Sequence, residues 1–150
     1  MTVEYIIAGL ALYIAFQQYQ NERYKVRVDL FDRRYKVYDS VGEIIARCIM
    51  GPLTHDDPKG FAFAHEIAKT ERVSRLLFNK EINEEIKMVC DNAMRLMEIV
   101  RRINPLEGEG LPSGPERNSL IEEKSKLLKY FTTGLSSLEL LFATQLKLNK

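Results

Sequence analysis

Near the N-terminus the stretch VEYIIAGLALYIAF, Val3 to Phe16, carries one charge, Glu4, and passes without a proline into the charged segment NERYKVRVDLFDRRYKVYDSVGEII. Such a beginning leaves the chain few options. The apolar part needs a non-aqueous neighbour, the charged part needs water, and no proline parts them before Pro52. The pattern predicts one long helix from Val3 to about Met50, with the rest of the chain folded back onto its second part.

The apolar part reads as a transmembrane anchor over residues 1–20, followed by a cytoplasmic helical bundle over residues 21–150. Seven residues between Val3 and Phe16 are Val, Ile, Leu or Phe; at roughly −0.3 to −0.6 kcal/mol each they favour the bilayer by about 2 to 4 kcal/mol. The run is short. At 1.5 Å per residue it covers about 21 Å, or about 26 Å when extended to Tyr19, against a hydrocarbon core of about 30 Å. Bilayer thinning, or Tyr5, Gln17, Gln18 and Tyr19 at the interfaces, makes up the difference in this reading. No basic residue precedes the run and no A-x-A-like site follows it, which argues against a signal peptide. Arg23, Lys25, Arg27, Arg33, Arg34 and Lys36 all follow it. The positive-inside rule therefore places the N-terminus outside and the body on the cytoplasmic side of a bacterial inner membrane. A soluble helix buried in a core is the alternative.

Within the apolar run Glu4, Ala8, Ala11, Ala15 and Gln18 recur at spacings of four and three, on one helix face. Small residues flanked by polar ones make a seam along which two membrane helices pack closely, so a homo-oligomer is expected. The competing reading is a monomeric anchor in which alanine is only a good helix former.

Further along, Val26, Leu30, Val37, Val41, Ile44, Ile45 and Cys48 give the long helix an inner face. Asp57 and Pro58 offer a cap and first turn for a second helix with Phe61, Ala64, Ile67, Ala68, Val73, Leu76 and Leu77 inside. Asn79 is expected to cap a third, where Ile82, Ile86, Val89, Ala93, Met97, Val100 and Ile103 keep helical spacing up to Asn104-Pro105. The segment PLEGEGLPSGP, Pro105 to Pro115, is a loop. Ser113 and Glu116 match a capping box for a fourth helix carrying Leu120, Ile121, Leu127, Leu128 and Phe131. Gly134 is expected to end it, and Ser136 with Glu139 to start a short C-terminal helix. With no alternating strand pattern, the expected fold class is all-α: roughly a four-helix bundle plus a C-terminal cap.

The pieces KVRVDLFDRRYKVYD (Lys25 to Asp39), RLLFNKEI (Arg75 to Ile82) and EEKSKLLKYFTTGL (Glu122 to Leu135), behind an N-terminal apolar run, resemble a widespread group of uncharacterised bacterial membrane-anchored proteins. The resemblance implies a tethered helical protein and no particular activity.

The chemistry visible in the residues is sparse. Asp29 with Arg33 and Asp32 with Lys36 stand at i,i+4 in the favourable acid-before-base order. They read as register-setting surface pairs, or else Arg33, Arg34 and Lys36 form a polar patch that holds phosphates of a nucleotide or a lipid headgroup. His55, Asp56, Asp57, His65 and Glu66 are the only metal-ligand candidates; two histidines without Glu-x-x-His repeats fall short of a di-iron bundle. Glycines 108, 110 and 114 lack the preceding strand and following Gly-Lys-Ser/Thr of a phosphate cradle. Cys48 and Cys90 sit at core positions as buried reduced thiols. A net charge of +1 gives no sign of a nucleic-acid surface. No catalytic group, metal or cofactor is expected, so the chain reads as a non-enzymatic, membrane-tethered interaction or scaffold protein with a cytoplasmic protein partner. The alternative is an oligomerising effector of a bacterial immunity system that compromises the bilayer when its cytoplasmic part is triggered.

Overall fold

The structure, a computed structural model, describes residues 2–51, 58–105 and 109–145. Among them are four helices and no strand: α1 (Thr2–Met50), α2 (Pro58–Leu77), α3 (Lys80–Ile103) and α4 (Pro115–Gln145). The expected all-α class and four-helix arrangement are what the chain adopts.

Helix α3 forms as its periodicity requires. Asn79 caps it by accepting a 3.1 Å hydrogen bond from the Ile82 backbone N–H, which satisfies one of the free donors of the first turn. Ile82, Ile86, Val89, Ala93, Met97 and Ile103 are buried as expected, together with Cys90, Leu96 and Ile99, whereas Val100, expected inside, is half-buried. Each large aliphatic side chain contributes about 1.5–3 kcal/mol when fully buried.

The other inner faces depart from the expected ones. On α2 the buried stripe is Gly60, Phe63, Ile67, Thr70 and Ser74, while Phe61 and Leu76 are 73% and 83% exposed. Hydrophobic periodicity passes over this stripe because two of its members are hydroxyls. Ser74 Oγ gives its proton to the Glu71 carbonyl at 2.8 Å, so its burial leaves no unpaired donor. Ile121 likewise faces solvent on α4, and Val26 and Leu30 are exposed on α1, whose buried positions begin at Val37.

Helix α4 also corrects the expected C-terminal break. Gly134 lies inside one 31-residue helix, not at its end. Phe131, Leu138 and Phe142 are all buried, at i, i+7 and i+11 of one face, and the burial of two more side chains beyond the glycine outweighs its cost of about 1 kcal/mol. The capping box at Ser113 does not form either: the helix begins at Pro115, with Gly114 O accepting from Asn118 N at 3.1 Å. Glu116 pairs instead with Arg102 on α3. The Asp57 cap lies outside the described residues.

Helices consecutive in the chain run antiparallel. Arg47 of α1 reaches Glu66 of α2 at 3.3 Å while Arg34 meets the opposite end of α2 at Leu77. Arg95 holds Glu123 through two bonds of 2.7 and 2.8 Å, and Arg102 reaches back to Glu116, setting α4 against α3. Helices α1 and α3 each approach all the others closely, whereas among the described residues the α2 and α4 backbones do not come together. The core lies between α1 from Val37 onward and the other three helices.

The first half of α1 takes no part in this. Every described side chain from Tyr5 to Arg27 is exposed, so about 35 Å of helix stands clear of the bundle. No helix among the described residues is long and apolar enough to cross a membrane. In the structure the segment expected to cross the membrane is an apolar arm continuous with α1. Its fourteen apolar-rich residues cover about 21 Å, and Gln17, Gln18 and Gln20 follow directly.

Candidate functional site

Two regions of α1 hold the residues singled out in the sequence. On the arm, the helix carries Ala8, Ala11, Ala15 and Gln18 along one face, all exposed. Glu4 belongs to the same helix, its side chain outside the described set. Around the remaining circumference Ile6, Ile7, Leu10, Leu12, Tyr13 and Phe16 are more than half exposed, so the alanine seam is one strip of an apolar surface open on all sides. At the arm's base Gln17 Nε2 donates to Tyr13 Oη at 3.2 Å, and the Arg23 guanidinium lies 5.5 Å from the centre of the Tyr19 ring.

The second region is the basic segment, and the fold divides it. Arg33 pairs with Asp29 at 2.9 Å, both well exposed. Arg34 points elsewhere. Its Nε donates to the Leu77 carbonyl at 2.9 Å, and its guanidinium sits 5.7 Å from the Phe78 ring centre. Leu77 closes α2, so its carbonyl lacks an ordinary intrahelical partner; a cation beside it is favoured by the helix dipole as well. Asn83 Nδ2 donates to the next carbonyl, Phe78 O, at 2.9 Å. Arg34 is thus a clasp on the α2–α3 corner and is not available to an anion in the way the patch reading required.

Arg33 and Lys36 do share a face. They line a cleft of about 760 Å³ between α1 and α2 with Ser40, Lys69 and Thr70. Lys69 is the member that sequence reasoning missed, since only the antiparallel packing of α2 brings it there. Asp39 and Glu66 also line the cleft. With Glu66 turned to Arg47 and Arg33 to Asp29, the charge left over is Lys36 and Lys69 against Asp39. That balance offers little net attraction to a phosphate.

The remaining candidates separate. His65 is exposed, Glu66 is held by Arg47, and His55, Asp56 and Asp57 lie outside the described residues. Among the described residues no group of three His, Cys, Asp or Glu side chains comes together as metal ligands. Gly110 has a packing reason: a Cβ there would stand 2.3 Å from the Ile103 carbonyl oxygen. The loop folds tightly onto the end of α3, where Leu111 N donates to Arg102 O at 3.3 Å. Cys48 and Cys90 are buried free thiols, and burial pushes each up to about 12, which keeps them protonated and unreactive.

Comparison with known proteins finds no matching family, no matching curated protein and no matching solved structure.

Proposed function

We propose that this chain is a membrane-tethered interaction module: the arm of α1 enters a lipid bilayer and holds the α1–α4 bundle at the membrane surface, where it binds a protein. The observation that carries this reading is the arm itself. Its apolar side chains are exposed around the full circumference from Tyr5 to Phe16, and large contiguous apolar surfaces left open on one chain mark an interface with lipid or protein. An interfacial helix needs a polar face, which this segment lacks. Immersion in hydrocarbon suits it better, with Arg23, Lys25 and Arg27 at the cytoplasmic headgroups. The arm is shorter than the hydrocarbon core, so it reaches across only where the bilayer thins around it.

Self-association of the arm belongs to the same reading. Ala8, Ala11 and Ala15 let two backbones approach along one strip while the larger side chains face lipid. Replacing Ala11 and Ala15 by Leu fills the strip and keeps the segment apolar; cross-linking in native membranes should then lose the oligomer. An unchanged cross-linked species would remove the seam from the proposal.

The tether is tested by flotation. The full chain should float with phospholipid vesicles and stay with them through a high-salt wash, whereas a chain beginning at Asn21 should remain at the bottom of the gradient. Recovery of the full chain as a detergent-free monomer unable to float would refute the membrane reading.

A further inference from the structure

We propose that the trough between α1 and the C-terminal half of α4 docks a basic amphipathic helix of a partner protein. This deepens the reading of the bundle as an interaction module and rests on it. The trough has a volume of about 540 Å³ and runs along α1 from Tyr38 to Met50, some 18 Å or three helical turns. Its floor is apolar and already close-packed: Val41, Ile45, Leu138 and Phe142 are buried. Gly42, on the trough side of α1, leaves it open, since a Cβ there would meet nothing within 4 Å. At the far end Ile49 and Met50 are exposed, Met50 at 80%, so an apolar lip continues the floor.

The charges at its edge are of one sign. Asp39, Glu43 and Glu139 line the trough, Asp39 also bordering the cleft of Lys36 and Lys69, and among the described residues no Lys, Arg or His lines the trough itself. None of the three is in an ion pair among the described residues. An apolar channel of helical length with unpaired carboxylates along it is the complement of a helix that presents apolar anchors at i, i+4 and i+7 with Lys or Arg beside them. A second copy of this chain held in the same membrane orientation is disfavoured as the occupant, because an isologous contact sets the three acids of one copy against the same three of the other. Anionic lipid is disfavoured by the same carboxylates.

The test uses the full chain in detergent micelles and a display library of 16-residue peptides, with leucines fixed at i, i+4 and i+7 and the other positions randomised. Selection should enrich Lys and Arg beside the leucines. The selected peptide should bind about tenfold more weakly to the triple variant Asp39→Asn, Glu43→Gln, Glu139→Gln, and should lose binding to Gly42→Leu, which puts a side chain into the trough from a position where an added Cβ meets nothing within 4 Å. Gly42→Leu should melt no lower than the parent, which separates a blocked site from an unfolded one. Neutral or acidic winners, no winners, or a peptide indifferent to Gly42→Leu would overturn the proposal. So would binding seen only after the chain is shortened to end at Gln145, because the trough would then belong to the chain's own LKLNK segment. Flotation of the full chain is read separately, so failure here leaves the tether standing or falling on its own assay.

Discussion

Arg33 and Arg34 are adjacent in sequence and should behave very differently when replaced by glutamine. Arg34 gives a 2.9 Å hydrogen bond to Leu77 O and lies over the Phe78 ring. A hydrogen bond from a charged donor contributes about 1.5–3 kcal/mol, and a cation over an aromatic face about 0.5–1 kcal/mol where solvent has access. Arg34 is half-buried, so the lower half of that range applies, giving a loss of about 2–3 kcal/mol for Arg34→Gln. Arg33 makes one exposed i,i+4 pair with Asp29, worth about 0.3–0.5 kcal/mol. For a chain of this size each kcal/mol moves the melting temperature by about 2–4 °C. Thermal melts of the full chain in micelles, followed by circular dichroism, should show a fall of about 4–12 °C for Arg34→Gln and less than about 2 °C for Arg33→Gln. Arg34→Lys should fall between, since it keeps the charge and loses the planar fork. Equal losses for the two glutamine variants would refute the assignment of Arg34 as a clasp and restore a single basic patch.

Other substitutions check the remaining packing arguments. Gly134→Ala should stabilise the chain by about 0.5–1 kcal/mol in urea titration, because the position is mid-helix and a Cβ there meets nothing within 4 Å; a loss of stability would mean that the helix ends there. Gly110→Ala should cost about 1–3 kcal/mol through the overpacked contact with Ile103 O, where a merely flexible loop would show no change. Phe142→Ala should cost about 3–5 kcal/mol, since the ring is buried and meets Tyr38 and Phe78 edge-on at 5.1 Å each. For Cys48 and Cys90, whose thiols are pushed up to about 12 from an ordinary 9.0, labelling by a maleimide at neutral pH should occur only at the rate of unfolding. Their burial as neutral thiols stabilises the fold fully below pH 9, and that contribution should fade as pH rises from 9 toward 12. Rapid labelling of the folded chain would contradict the burial.

The sequence alone determined those features whose cause is local or periodic. Helix α3 was legible in its limits and in most of its inner face because its apolar residues recur without interruption and Asn79 is a strong cap, while packing added Leu96 and Ile99 to the core and left Val100 half-buried; the same local chemistry announced the unbroken α1 and the loop after Asn104. The apolar character of the arm was equally plain, since it depends on composition within a single turn-by-turn window. Tertiary structure decided what depends on a neighbour. Whether Gly134 stops a helix depended on Leu138 and Phe142 finding the core beyond it. On α2 the inward face was set by Phe63 and Ile67 packing, which carries Thr70 and Ser74 inward with it; Ser74 can be there because its hydroxyl returns its proton to the Glu71 carbonyl of its own helix. Adjacent arginines stand about 100° apart on a helix, so only the placement of Leu77 could show that Arg34 has a protein partner while Arg33 faces solvent. The trough and its acids are further still from local reading: Asp39 and Glu43 share one helix face, but Glu139 joins them from almost a hundred residues away, brought there only when α4 packs antiparallel against α1.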